Sequence, residues 1–330
     1  MGKIKDVKNG RYKTKLSMDA SVLTRAGDAF GVQADWCANN SATQKSMGVL
    51  ALAFQKKYGL VADGILGPRT YKMMSYLYNG RSEREIAVYK VIWEIMAFES
   101  AGKPDAANRN TEFRLMKKHP AYQKYHIGLS LGYIQMTQDG GTLGKWAKMC
   151  YDDNPEKFKE IVGSTYKELL AVITAPGRSG FSQRIARGPR VKPIPVEVNG
   201  KMVNVDLWEE PWVSKMKKLA VYPEFEANQI EIATEIYLES MLPLLKELDA
   251  RSEKAVAIAF NLAVHYGPSR AREIIVGNWN RTAHEQDNLK RIAVDLSKKT
   301  LGVITKKSRP LRILENKRIT TDVWAGFERG

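Results

Sequence analysis

Residues 83–102 read EREIAVYKVIWEIMAFESAG, and this stretch decides how the rest of the chain is interpreted. Apolar side chains recur in it at three- and four-residue spacing, which predicts an amphipathic helix over Glu83–Ala101. The apolar face carries Ile86, Tyr89, Trp93 and Met96. Gly102 follows as a natural helix-ending residue. A long helix with one buried face indicates a mainly α-helical protein.

Glu99 stands in the last turn of this helix, three residues after Met96 and therefore on or beside the apolar face. Apolar neighbours and the negative end of the helix dipole both disfavour an ionised carboxylate. We therefore expect a raised pKa for Glu99, which is what a general acid needs at neutral pH. From periodicity alone, a surface glutamate at a frayed helix end remains the alternative.

Helical patterns continue on both sides of this stretch. Before it, the spacing predicts three short helices, and Arg81 opens a new, charged segment, so we expect a boundary between domains 1–80 and 81–330. The predicted helices are Ala20–Ala26 (ended by Gly27), Thr43–Tyr58, Tyr71–Tyr78 (capped by Thr70), Leu143–Tyr151, Pro155–Thr174, Trp212–Leu219, Glu226–Glu247, Ser252–Tyr266 and Ala283–Lys299. Alternating residues around Asn199-Gly200 predict a β-hairpin inside Val191–Leu207.

Composition limits the class of protein. The chain has 330 residues, a net charge of +16 and two cysteines, Cys37 and Cys150, so it has room for two domains and no disulfide scaffold. Four scattered histidines lack metal-ligand spacing, and we expect no metal and no other cofactor. The basic charge favours an anionic partner, which is nucleic acid, a membrane surface or a cell wall.

Residues 54–70 read FQKKYGLVADGILGPRT. The apolar anchor Phe54 and the turn dipeptides Asp63-Gly64 and Gly67-Pro68 match the FQ, GL, DG and GP.T pattern of the peptidoglycan-binding domain family. The segment resembles that family, which implies a three-helix domain that holds the cell wall. By the same resemblance the wall-binding residues are Phe54, Gln55, Asp63 and Arg69.

Three later segments resemble the lysozyme-like superfamily, which includes goose-type lysozymes and lytic transglycosylases. They are the Glu99-Ser100 helix end, GLSLGYIQMT at 128–137 and NLAVHYGPSR at 261–270. With the N-terminal segment, the chain resembles modular endolysins of large phages that infect Gram-negative bacteria. The resemblance covers residues 45–78 and 90–150, and residues 225–275 more loosely. The resemblance implies a lysozyme-like helical domain, here with a small hairpin insertion, that cleaves the β-1,4 bond between N-acetylmuramic acid and N-acetylglucosamine.

This resemblance also implies roles for particular residues. Glu99 would protonate the glycosidic oxygen, and Thr137 stands where some relatives orient a water molecule. The sugar cleft would be lined by Ser130, Tyr133, Gln135 and Tyr266, or by His265 in place of Tyr266. For each of these lining residues, simple packing or turn formation is the alternative role.

The second catalytic carboxylate stays open among Asp105, Glu112 and Asp139, of which Glu112 is the first candidate. Hydrolysis normally uses a second carboxylate as nucleophile or base. Without one, the substrate's own N-acetyl group or 6-hydroxyl would do that work, giving the 1,6-anhydro ends of a lytic transglycosylase. We favour the hydrolase narrowly.

Two other classes compete, a non-catalytic wall-binding protein and a nucleic-acid binder. The charge fits the second, yet the chain shows no zinc-finger spacing, no RNP-like motif and no clear helix-turn-helix. We therefore expect a monomer that binds glycan strands, with the anionic outer membrane as a further contact and no nucleic acid. No secretory signal opens the sequence, so we expect synthesis in the host cytoplasm and action in the periplasm, leading to host lysis.

Overall fold

The computed structural model describes residues 3–4, 18–38, 40–58, 60, 62–78, 83–108, 129–137, 141–174, 196–198, 200–203, 207, 210–301 and 308–327. The protein is mainly helical, as the sequence predicts, with little sheet. None of the helices in these ranges is long and apolar enough to cross a membrane.

Two compact units make up the chain. One contains residues 1–91, 244–259 and 274–330, and the other contains residues 92–243 and 260–273. Each unit combines stretches that are separated in sequence but contact one another. The units therefore do not test the predicted boundary near residue 81, which stays a prediction.

Three helices, α1 (Ala20–Phe30), α2 (Ser41–Lys57) and α3 (Pro68–Tyr78), pack against one another near the start of the first unit. Before them, β1 (Lys3–Ile4) pairs antiparallel with β2 (Met18–Asp19). All three predicted helices are present with shifted ends. Gly27 does not end α1 but lies buried inside it, where an added Cβ would meet the carbonyl oxygen of Val32 at 2.3 Å.

The ends of these helices have ordinary physical causes. The Asp19 carboxylate caps α1 by accepting a hydrogen bond from the Ser21 amide at 2.8 Å, and this bond lowers the pKa of Asp19. Gly31, at φ 65°, ends the same helix. Thr70 was predicted to cap α3, but the helix begins earlier, at Pro68, whose fixed φ suits the first helical position.

Helix α4 (Glu83–Glu99) begins in the first unit and ends in the second, where a three-stranded antiparallel sheet of two-residue strands follows it. Its strands are β3 (Ala107–Asn108), β4 (Ser130–Leu131) and β5 (Met136–Thr137), in the order β3-β4-β5. The sequence patterns did not predict this sheet, since strands of two residues are too short to show alternation.

Six helices of the described ranges follow the sheet in sequence, and the first and fourth of them pack against β5 and β4 respectively. They are α5 (Thr142–Asp153), α6 (Pro155–Val162), α7 (Tyr166–Thr174), α8 (Trp212–Ala220), α9 (Pro223–Ala233) and α10 (Leu242–Glu247). The single helix predicted over Pro155–Thr174 is two helices, because Gly163 at φ 81° interrupts it. The helix predicted over Glu226–Glu247 is likewise interrupted, by a π-helical segment at Thr234–Leu238.

The predicted hairpin is confirmed. Strand β6 (Val196–Val198) pairs antiparallel with β7 (Lys201–Val203), and Val198 lies opposite Lys201. Gly200 has φ 76°, as a tight two-residue connection requires. Residues 191–195 and 204–206 of the predicted insertion lie outside the described residues.

The last helices are α11 (Glu253–Tyr266), α12 (Pro268–Asn278), α13 (Glu285–Leu301) and α14 (Arg309–Glu315). The sequence patterns predict α11 and α13 but miss α12 and α14, both of which begin close to a proline. Proline at a helix start could have signalled both.

The C-terminal segment Asn316–Phe327 belongs to the first unit and packs against its helices. The Thr320 amide donates to the Glu253 carboxylate at 2.7 Å, and the same carboxylate forms a buried ion pair with Lys90 at 2.8 Å. Trp324 is buried, its backbone amide donates to the carbonyl of Arg251 at 2.8 Å, and its indole N–H donates to the carbonyl of Ala87 at 3.2 Å. The C-terminal segment therefore fastens α4 to the start of α11.

Replacing Trp324 with alanine should lower the free energy of unfolding by about 3–5 kcal/mol, because a buried indole leaves a cavity when it is removed. Urea unfolding followed by circular dichroism measures this change. Val323→Ala is the matched control, since that neighbouring side chain is 69% exposed. Equal unfolding midpoints for the two variants would show that the segment does not hold the unit together.

Candidate functional site

Glu99 is the last residue of α4, and the backbone that follows it turns sharply. Ala101 and Gly102 both adopt left-handed φ angles, of 53° and 70°. The Gly102 amide donates to the carbonyl of Met96 at 3.3 Å, and the Ser100 hydroxyl donates to the same carbonyl at 3.2 Å. Glu99 is half-buried. The predicted helix end is confirmed, and it holds the Glu99 backbone at the negative end of the helix dipole.

A hydrogen-bonded path leads from this helix end to the small sheet. The Lys103 amide donates to the carbonyl of Ser100 at 3.1 Å, and the Ala106 amide donates to the carbonyl of Lys103 at 3.3 Å. The Gly132 amide then donates to the carbonyl of Ala106 at 2.9 Å. Two segments that lie 30 residues apart in sequence, the Glu-Ser helix end and the turn that joins β4 to β5, are thus joined through their backbones.

The Gln135 side chain forms hydrogen bonds within that turn and to the segment that follows α4. Its side-chain amide donates to the carbonyls of Ala106 and Gly132, both at 3.0 Å, and its backbone has φ 53°. These bonds tie the turn to the chain that follows α4. Gln135 is only half-buried, so part of the side chain is open to solvent beside the turn.

A residue that the sequence patterns missed, Gln229 on α9, holds the turn from the other side. It is fully buried, and its side-chain oxygen accepts a hydrogen bond from the Tyr133 amide at 2.9 Å. Its side-chain nitrogen donates to the carbonyls of Pro104 at 3.2 Å and Ala220 at 3.0 Å. One amide thereby joins four segments of the chain. No local motif marks such a residue, because its partners are distant in sequence.

Tyr133 is fully buried. Its hydroxyl donates to the carboxylate of Glu226 on α9, and its ring lies 6.1 Å from that of Trp93 on α4, measured between centroids. In this structure Tyr133 supports the turn through these contacts, and its predicted contact with the sugar stays a prediction.

Ser130 and Thr137 lie opposite each other across β4 and β5. Thr137 is half-buried, whereas Ser130 is buried, and its hydroxyl has no hydrogen-bond partner among the residues that the structure describes. The amide nitrogen of Asn261 on α11 is in the same situation. Buried polar atoms of this kind are uncommon and occur more often at sites that do chemistry or bind ligands.

Tyr266 ends α11, where it is half-buried and its ring meets the edge of the exposed His265 ring at 4.6 Å between centroids. It belongs to the same compact unit as Glu99, the sheet and Gln229. Of the proposed second carboxylates, Asp105 is half-buried in the turn after α4. Glu112 and Asp139 lie outside the described residues, and their predicted roles stay predictions.

The N-terminal motif has a clear structural role. Gln55 is buried, and its side-chain amide donates to the Asp63 carboxylate at 2.8 Å and to the Thr70 hydroxyl at 3.1 Å. Its side-chain oxygen accepts from the Gly64 amide at 2.9 Å. These bonds fasten the Asp-Gly turn between α2 and α3, and Asp63 is itself exposed.

Phe54, beside Gln55, is fully buried among the helices. Phe54 and Gln55 thus pack inside this part of the chain, and their predicted contact with the wall stays a prediction. Arg69 lies in α3, and its side chain is outside the described residues.

Among the described residues, no group of three histidine, cysteine, aspartate or glutamate side chains is arranged to hold a metal ion. Cys37 is exposed and Cys150 is buried, and burial raises the pKa of the Cys150 thiol. In comparisons with known proteins, no family model, no curated protein and no solved structure matches the chain.

Gly132→Ala should disrupt the site. Gly132 has φ 87°, and an added Cβ would stand 2.2 Å from the Gln229 side-chain oxygen, so Gln229 would have to release the Tyr133 amide. We expect a loss of about 2–4 kcal/mol in unfolding free energy, from left-handed strain and broken hydrogen bonds together. Thermal or urea unfolding measures it.

Gly141→Ala is the matched control, because Gly141 has a similar φ of 76° and nothing within 4 Å of its added Cβ. Its loss should be about 1–2 kcal/mol, the cost of left-handed backbone alone. The same loss in both variants would contradict the role given to Gln229.

Gln55→Leu should destabilise the N-terminal helices by about 2–4 kcal/mol, since the Gly64 amide and the Thr70 hydroxyl both lose a partner. Hydrogen exchange of the Gly64 amide, followed by mass spectrometry, reports the loss locally. Gln44→Leu on the exposed side of the same helix is the control. Unchanged exchange at Gly64 in the Gln55 variant would show that this amide does not fasten the turn.

Proposed function

We propose that the chain cleaves peptidoglycan at the β-1,4 bond between N-acetylmuramic acid and N-acetylglucosamine, and that its N-terminal helices bind the wall. The observation that carries this proposal is the hydrogen-bonded connection between the Glu99 helix end and the turn that holds Gln135. These are two of the three segments that resemble the lysozyme-like superfamily, and a working site of that kind needs them side by side.

In this proposal Glu99 is the general acid. Cleavage of a glycosidic bond passes through an oxocarbenium-like transition state, and the departing oxygen needs a proton as the bond breaks. A carboxylic acid at a helix C-terminus is suited to donate that proton, because the helix dipole disfavours the anion that forms only after donation. The rigid turn after α4 limits movement of the acid relative to the bound sugar.

The neighbouring residues divide into supports and sugar contacts. Gln229, Tyr133 and the Gln135 amide hold the turn in place. Ser130, Thr137 and Tyr266, with the solvent-facing part of Gln135, are the proposed contacts. The buried Ser130 hydroxyl, for which the described part of the chain offers no partner, would be satisfied by a sugar hydroxyl or N-acetyl group that reaches it.

The reaction type depends on which group attacks the anomeric carbon of the sugar once Glu99 has protonated the departing oxygen. A hydrolase would use a carboxylate, for which Asp105, Glu112 and Asp139 are the candidates, or a water molecule oriented by Thr137. A lytic transglycosylase would use the 6-hydroxyl of the same muramic acid. We favour hydrolysis, that is, a lysozyme or muramidase, with transglycosylation as the alternative.

The biological setting follows from the substrate. We propose an antibacterial endolysin of phage type, acting as a monomer on the host cell wall from the periplasmic side after synthesis in the cytoplasm. Its net charge of +16 complements the carboxylates of the wall and the anionic lipids of an outer membrane. The same charge favours the competing proposal of a non-catalytic wall- or nucleic-acid-binding protein. Retention on purified sacculi without release of reducing or anhydro ends would support the non-catalytic form.

Glu99→Gln should reduce cleavage of purified sacculi at least about 1000-fold, because the near-isosteric amide cannot donate the proton. Release of soluble muropeptides measures cleavage, and co-sedimentation with sacculi should be unchanged. Glu231→Gln on the exposed side of α9 is the matched control. Full turnover by the Glu99 variant would overturn the assignment of the acid.

Mass spectrometry of the digest should decide the reaction type. Hydrolysis in water enriched in ¹⁸O should place one heavy oxygen at the new reducing end of each product. Products lighter by the mass of one water, with no label, would instead identify a lytic transglycosylase.

A further inference from the structure

Three half-buried aromatic side chains surround one lysine at the C-terminal end of α2. The Lys57 ammonium lies 5.3 Å from the centroid of the Tyr58 ring and 5.7 Å from that of Phe30. Tyr78, at the end of α3, is the third ring. We call Phe30, Tyr58, Tyr78 and Lys57 the aromatic platform. Lys57 is exposed, and the three rings are partly exposed.

Two of the three rings, those of Phe30 and Tyr58, pack against a buried aromatic side chain. Phe54, which is fully buried, lies 4.6 Å from Tyr58 and 6.1 Å from Phe30, measured between ring centroids. The next residue is Gln55, whose amide fastens the turn between α2 and α3. A platform that rests on the core is ordered before it meets a ligand, which lowers the entropic cost of binding.

Tyr78 adds a hydrogen-bond donor that does not ionise near neutral pH. Burial and, to a smaller extent, the nearby Tyr58 raise the pKa of its hydroxyl to about 12, while Lys57 opposes the shift. The influence of Tyr58 and Lys57 on this hydroxyl also indicates that Tyr78 is close to them. The platform therefore combines partly exposed aromatic rings, two phenolic hydroxyls and one cation.

This combination matches a particular chemistry. The apolar C–H face of a pyranose ring stacks on an aromatic ring, phenolic hydroxyls bond to sugar hydroxyls and N-acetyl groups, and an ammonium pairs with a carboxylate. Peptidoglycan strands offer all three, because their amino sugars carry peptides that end in carboxylates. A plain polyanion offers only the charge.

We propose that the aromatic platform is the surface through which the N-terminal helices contact peptidoglycan, with a sugar ring on Tyr58 and a stem-peptide carboxylate on Lys57. The proposal rests on the wall binding proposed above and moves the contact away from the buried motif residues Phe54 and Gln55. Those two residues order the platform instead.

The test uses the full chain carrying Glu99→Gln, so that sacculi are not consumed, and measures co-sedimentation with purified sacculi. Tyr58→Leu, which keeps apolar volume but removes the flat ring, should weaken binding about three- to tenfold. Lys57→Gln should weaken it about two- to fivefold. Tyr58→Phe should restore binding to within about twofold, since the ring is retained.

Lys45→Gln is the matched control, because Lys45 is exposed on the same helix. It removes the same charge and should change binding to sacculi less than about twofold. Thermal melting of each variant checks folding. If Tyr58→Leu melts early, the comparison of Lys57→Gln with Lys45→Gln still decides the outcome.

Two further probes separate stacking from charge. Chitin is an N-acetylglucosamine polymer without carboxylates. The Tyr58→Leu variant should therefore bind chitin more weakly than the parent chain does, whereas the Lys57→Gln variant should bind it equally well. The affinity for heparin should fall equally in the Lys57→Gln and Lys45→Gln variants, because heparin senses only the lost charge. Sacculus binding that is unchanged in both Tyr58→Leu and Lys57→Gln would overturn the platform and leave wall binding intact. Failure of the parent chain to bind sacculi would overturn wall binding itself, and the chitin series would then decide whether the platform holds sugars.

Discussion

The candidate site depends on one buried side-chain amide, that of Gln229. It bonds at once to the carbonyls of Pro104 and Ala220 and to the amide of Tyr133. The Tyr133 amide and the Ala220 carbonyl are in buried residues, and a missing partner would cost each of them free energy. The amide also leaves no room for a side chain at position 132, so its position requires glycine there. The hydrogen bonds of Gln229 thus fix the conformation of the turn beside the Glu99 helix end.

The N-terminal helices use the same arrangement. Gln55 is buried, and its amide connects Asp63, Gly64 and Thr70 across the turn between α2 and α3. A motif residue of this kind is needed for the fold whether or not a ligand is bound. The fold alone therefore explains why Gln55 is present, and the proposed contact with the wall lies at neighbours outside the motif, Tyr58 and Lys57.

Charge and rigidity act together in the proposed enzyme. A basic protein is drawn to an anionic wall over a long range, and that attraction does not choose where it binds. Position is chosen by short-range features, which are the aromatic rings of the platform in one unit and the fixed helix end in the other. The C-terminal segment contributes stability, since Trp324 and the Lys90–Glu253 ion pair fasten α4 and α11 within the first unit.

The sequence by itself determined the helical class, the end of α4 after Glu99, the Asn-Gly hairpin and the turn between α2 and α3, because local spacing, glycine and proline control each of them. Only the tertiary structure decided that the turn after β4 is bonded to the Glu99 helix end, that Gln229 holds it, and that Tyr133, Phe54 and Gln55 are buried. Contacts between distant segments decide burial and hydrogen-bond partners, and no local pattern records them. The π-helical segment 234–238 was also decided by the tertiary structure, since no glycine or proline marks it in the sequence, whereas Gly163 is a local signal for the break between α6 and α7.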